Sequence, residues 1–205
     1  MTLDTQHLLG AFAAIDAANS LDPKRIDVDG VRRPANLMYG LRMSEELARF
    51  APDASEALRI AARGQHIERW IIPRDRYLMD RQGYHQWRRA LRDHHAARLS
   101  AILTDLSFDP ATIARVVAIV RKERPKEDGE VQTLEDVICI VFLKYEVATF
   151  ATKYEDDDPR LADILAKTWR KMSERGHQAA LAIPPAPSVV ALLHQGLERL
   201  KPANP

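Results

Sequence analysis

Apolar residues recur at intervals of three and four along nearly the whole chain, and period-two alternation is almost missing. Successive helical residues are rotated by about 100°, so this spacing gathers apolar side chains onto one stripe, whereas a half-buried strand needs alternation. The pattern predicts an all-α protein, and the abundance of Ala, Leu and Arg in the periodic segments agrees with it. With Pro, Gly and Asp clusters taken as punctuation, helices are expected over 3–19, 35–50, 53–72, 83–106, 109–124, 131–154, 159–182 and 187–200. Segments 21–34 and 73–82 read as long polar connections, a kind of loop that often carries function.

The chain has 205 residues, 46% of them apolar, enough to bury one continuous core. The expectation is a single compact domain of about eight helices, seven of them within residues 1–183 and the last within 184–205, where a linker and the C-terminal helix pack on the rest. Formal charge nearly cancels at +1, which gives neither the basic excess of a non-specific nucleic-acid binder nor the acidic excess of a solvating tail. One cysteine, Cys139, leaves no intrachain disulfide framework and suits a reducing cytoplasm. Asp4 and His7 stand where a secretion signal wants positive charge, and no apolar stretch nears the roughly 20 residues of a membrane span, so a soluble, cytoplasmic protein with no membrane partner is expected.

Polar chemistry concentrates between Arg59 and Asp136. On the expected third helix, Ala57, Ile60, Ala61, Gly64, Ile67 and Ile71 form the apolar face, with Glu56, Arg59, Arg63, His66 and Trp70 on its flank. The next helix aligns Tyr84, Trp87, Leu91, His95, Arg98 and Ile102, which turns His95 inward and leaves His94 lateral. The alternative readings are an ordinary amphipathic boundary with a half-buried histidine for His66, and a core residue with one hydrogen bond for His95. Segment 59–98 holds ten arginines, no lysine and four acids, a local charge of +6. Guanidinium forks suit phosphate or carboxylate, and the interleaved Trp70, Tyr77, Tyr84 and Trp87 could stack a base, so an anionic small molecule or nucleotide is the expected ligand.

Between Val137 and Leu143 the residues are apolar around the full circumference, so this helix should be buried on all sides. Glu135 and Asp136 lead into it about 100° apart, and at least one carboxylate must approach the interior. An unpaired charge there is too costly, so a partner is required: arginine, histidine, a metal ion or the helix's own first amides.

Five stretches together make the chain resemble domain-of-unknown-function family 4202 from about Phe12 to Leu181: IDAANSLDP at 15–23, ASEALRIAARGQHIERWIIPRDRY at 54–77, RQGYHQWRRALRDHHA at 81–96, QTLEDVICIVFL at 132–143 and KTWRKMS at 167–173. That family is in turn similar to the HD-domain phosphohydrolases, helical proteins that hold a divalent metal between a first histidine, a His-Asp doublet and a later aspartate. The resemblance implies an HD-like helical core, with His66 as the first histidine, His95 as the doublet histidine and Asp136 as the final aspartate. Ala96 follows His95, so the doublet's own aspartate is missing; Glu135 could substitute as an oxygen ligand.

Two functional expectations follow. In the first, the chain is an HD-like metal-assisted hydrolase of a phosphate-containing small molecule or nucleotide. His66, His95 and Asp136 would hold Mn, Mg, Fe or Zn, Arg63, Arg69, Arg74 or Arg88 would clamp the phosphate, and Glu135 and Lys122 would orient water or neutralise charge. In the second, the same arginines and aromatics form a metal-free module that binds a nucleotide, an RNA end or another anionic ligand.

Overall fold

The computed structural model describes residues 3–123, 127–152 and 159–183. The chain divides into two compact units, Met1–Leu134 and Glu135–Pro205. Among the described residues the protein is helical apart from one two-stranded hairpin, so the all-α expectation holds at the level of class.

Unit 1 opens with α1 (Leu3–Ser20), followed by β1 (Arg25–Val28), β2 (Val31–Pro34), α2 (Ala35–Phe50) and α3 (Glu56–Gly64). Two short 3-10 turns at Arg69–Ile71 and Arg74–Arg76 lead to the long α4 (Arg81–Asp105), then α5 (Pro110–Arg121) and the first residues of α6 (Gly129–Val141). Helices α4 and α3 both pack on α5, and α1 and α2 pack on α3. Their common core contains Ile15, Met43, Leu47, Ile60, Leu91, Leu99, Leu103, Val116 and Ile119, each no more than 2% exposed.

The hairpin corrects the reading of 21–34 as a simple connection. β1 and β2 pair antiparallel, Ile26 opposite Arg33 and Val28 opposite Val31. Asp29 and Gly30 both take positive φ, the backbone that a tight hairpin turn demands, and the Gly30 N–H donates to the Asp27 carboxylate. Buried Asp22 secures the base by accepting the N–H groups of Lys24 and Asn36.

The third helix is also shorter than expected. It starts at Glu56 rather than at residue 53, Ser55 capping the N–H of Leu58, and it stops at Gly64 instead of reaching residue 72. Glu68 turns into the left-handed region at φ 51°, held there because its N–H donates to buried Asn19. Ala57, Ile60, Ala61, Gly64 and Ile67 therefore bury as the periodicity predicts, while Ile71, beyond the break, is 46% exposed.

In unit 2 the rest of α6 continues through one wider π turn (Phe142–Glu146) into α7 (Val147–Ala151), after which come α8 (Pro159–Trp169) and α9 (Glu174–Leu181). From Val137 to Leu143 only Ile138 and Phe142 are half-buried, so the all-round apolar run is buried nearly as expected, and it is helix rather than strand. The expected helix 159–182 is two helices, because the chain turns at 170–173 and Ser173 restarts it as the cap of α9. The expected helix 187–200 lies outside the described residues.

Candidate functional site

Gly64, the last residue of α3, lies so close to α4 that a side chain at this position would drive into Leu99. The chain that leaves α3 then lays His66, Glu68 and Arg69 alongside the middle of α4, where His94 and His95 stand. Two imidazoles from separate elements thus approach one another, His66 and His95 having ring centroids 6.0 Å apart.

Each ring is fixed by its neighbours. The Nδ1 of His95 lies 2.7 Å from the carbonyl oxygen of Ile67, which can only accept, so Nδ1 carries the proton and Nε2 is a lone pair. His95 is 2% exposed, and its Nε2 is closed to solvent with no hydrogen-bond partner among the described residues. Burial pushes His95 down to about 3; the bond to Ile67 opposes this, and Arg69, His94 and Arg88 add to it. His66 stacks on Tyr39, centroids 4.2 Å apart, and Tyr39 is itself held by a 2.7 Å bond from Gln65 to its hydroxyl. Burial also drives His66 well below the ordinary imidazole value, and the charge of Arg69, the cost of charging it beside His95, and the charges of Arg88 and Lys122 lower it further. Arg69 lies 3.1 Å from His66 Nε2; a guanidinium can only donate, so that nitrogen accepts.

Around this pair the expected ligand-binding residues fall into different roles. Arg69 lies over the face of Trp87, 4.8 Å from its centroid, and Trp87 is pinned by its indole N–H to the carbonyl of Ile72 at 2.9 Å. Arg88 reaches both imidazoles through its charge and Lys122 reaches His66; Lys122 sits at the left-handed turn that ends α5. Arg74 is taken up by the carbonyls of Tyr77 and Asp80 and so shapes the 73–82 loop. Arg63 is buried and grips Asp16 of α1 with Nε at 2.8 Å and a second nitrogen at 2.5 Å, which makes it a structural tie. Tyr84 is 45% exposed beside Trp87, and Trp70 is half-buried on its 3-10 turn.

Glu135 and Asp136 belong to unit 2. Asp136 is 2% exposed, so the inference that one carboxylate enters the interior is right, and a partner is identified: its oxygens accept the N–H of Ser173 at 2.7 Å and its hydroxyl at 2.6 Å. Glu135 is half-buried and also engaged. Against the donor set expected for a metal, His95 Nε2 is an available ligand, His66 Nε2 already accepts from Arg69, and the Asp136 carboxylate is held by Ser173. Among the described residues no three His, Cys, Asp or Glu side chains group as a metal site.

Sequence reasoning passed over Tyr39, Gln65 and Asn19, whose partners are remote in the chain, and gave Glu68 no structural role. Glu68 accepts from Arg98 at 3.2 Å and stands 3.6 Å from His94 Nε2, balancing part of the arginine excess.

The profile of one family, described as a domain of unknown function (DUF4202), matches residues 10–193. The chain belongs to that family. In DUF4202 terms, the match spans both the imidazole–arginine cluster of unit 1 and the Asp136–Ser173 pair of unit 2. No curated protein and no solved structure matches the chain.

Proposed function

We propose that unit 1 is an anion-binding module that takes a phosphate-containing small molecule or nucleotide against the His66–His95 pair, with Arg69, Arg88 and Lys122 supplying the charge. The observation that carries this reading is geometric: the Arg69 guanidinium lies 3.1 Å from His66 Nε2, 6.0 Å separates that ring from His95, and the buried His95 Nε2 has no partner among the described residues. A gathering of cations attracts an anion, and guanidinium groups bond phosphate oxygens in pairs. Trp87 and Tyr84, adjacent to Arg69, offer faces on which a base could stack.

Metal-assisted hydrolysis is a second reading, favoured by one observation: His95 Nε2 is a buried lone pair of the kind a divalent ion or a general base uses. For His66 to serve as a second ligand, Arg69 would first have to leave its Nε2.

Calorimetric titration of the full chain with pyrophosphate and nucleoside phosphates tests the first reading. Saturable binding weakened about tenfold or more by Arg69→Gln and Arg88→Gln supports it, since a hydrogen bond to a charged group contributes about 1.5–3 kcal/mol. Absence of binding to every one of these anions overturns it. Elemental analysis of the purified protein, with a phosphatase screen in added Mn, separates the second reading: stoichiometric metal that is lost in His95→Ala, together with turnover, favours hydrolysis.

A further inference from the structure

Resting on the anion-site reading, a feature of His95 narrows the ligand. Its Nδ1 proton is committed to the Ile67 carbonyl at 2.7 Å, so what the ring offers on its other side is an acceptor. That acceptor, Nε2, is buried and without a partner among the described residues, although buried polar atoms nearly always find one. The cations whose fields reach the ring, Arg69 and Arg88, are donors, but Arg69 is directed to His66 Nε2 at 3.1 Å. The site therefore combines donors for anionic oxygens with one lone pair that repels any oxygen lacking a hydrogen.

We infer that the ligand is an oxyanion that also carries an O–H, either a protonated phosphate or a phosphate ester with a neighbouring hydroxyl, and that His95 Nε2 accepts the hydrogen bond from that O–H. Phosphate and sulfate differ in this respect while sharing a tetrahedral shape. At neutral pH inorganic phosphate always keeps an O–H, whereas sulfate keeps none. A site built to bond a hydroxyl discriminates strongly against the analogue without it, because its own polar group is then left unpaired. Ring burial, which holds His95 down to about 3, keeps Nε2 unprotonated throughout the neutral range.

The test is a comparative titration of the full chain with sodium phosphate and sodium sulfate at neutral pH and matched ionic strength, followed by calorimetry and by the imidazole resonances. Phosphate is expected to bind at least about tenfold more tightly than sulfate. His95→Asn can still donate an amide N–H toward the Ile67 carbonyl but has no counterpart of Nε2; it is expected to abolish the preference, phosphate losing affinity and sulfate losing none, so that the two anions bind alike. Equal binding of the two anions by the wild-type chain overturns the inference and leaves the anion site standing. Binding of neither anion overturns both. Undiminished selectivity in a folded His95→Asn variant also overturns the inference, and the wild-type comparison decides should that variant fail to fold.

Discussion

The carboxylate of Asp136 closes on Ser173 twice, taking its main-chain N–H at 2.7 Å and its hydroxyl at 2.6 Å. Ser173 in turn caps α9 through Gly176 N–H at 3.1 Å, so a buried acid in α6 anchors the start of another helix. Asp136→Ala strands the Ser173 N–H and should cost about 1–3 kcal/mol, a fall in Tm of roughly 2–4 °C per kcal/mol, measured by thermal unfolding. Asp136→Asn, which keeps one acceptor, should cost less. A purely ligand-binding role for this acid predicts the reverse, unchanged stability.

Gly176 provides a second handle on the same contact. A Cβ there would lie 2.5 Å from the Asp136 carboxylate oxygen. Gly176→Ala should therefore destabilise by about 1–3 kcal/mol even though alanine is the better helix former, and a stabilised variant would refute the packing.

Arg63 and Asp16 form the tie between α3 and α1, their side chains 10% and 30% exposed. Arg63→Met removes one partner of a largely dry pair. The partial exposure of Asp16 discounts the cost of a fully buried break to about 2–3 kcal/mol. Denaturant unfolding should show that loss, whereas phosphate affinity at temperatures where the variant stays folded should not change. Weaker phosphate binding without destabilisation would return Arg63 to the site.

The histidine pair makes the fold sensitive to acid. In the folded chain His95 is lowered from 6.5 to about 3 and His66 is lowered as well, so below about 6.5 the unfolded state binds more protons than the folded one. The part of the stability that rests on neutral His95 is complete above that value and drains as pH falls toward about 3, at up to about 1.4 kcal/mol per pH unit, and His66 acts in the same direction. Denaturant midpoints measured from neutral pH down to about pH 5 should fall, and more shallowly in His95→Asn. Identical slopes for the two proteins would contradict the dry, neutral ring.

Arg69 over Trp87 supplies an optical report of ligand binding. The chain has three tryptophans, so Trp70→Phe with Trp169→Phe leaves Trp87 as the sole emitter. Phosphate drawn to Arg69 should change its fluorescence saturably, and Arg69→Gln should abolish the response. An unresponsive Trp87 in a protein shown to bind phosphate by calorimetry would place the anion elsewhere.

Much of this was legible in local pattern. Three- and four-residue spacing identified the helical class, the buried stripe from Ala57 to Ile67, the inward turn of His95 and the burial of Asp136 beside an all-round apolar run. It failed where short-range competition decided the outcome. The Asp29-Gly30 turn made a hairpin inside a polar stretch, and the left-handed Glu68 ended a pattern that otherwise continued to Ile71. Nor did local pattern show that His66 would meet Arg69 or that Asp136 would meet Ser173.

What the sequence by itself determined is therefore which side chains leave water, because helical periodicity relates residues only three or four positions apart. What only the tertiary structure decided is whom the buried polar groups meet. Arg63 with Asp16, Glu68 with Asn19 and Asp136 with Ser173 are joined across 47, 49 and 37 positions of chain. At those separations periodicity carries no information, and the pairing is set by the demand that every polar group taken from water finds a partner within a hydrogen bond's length.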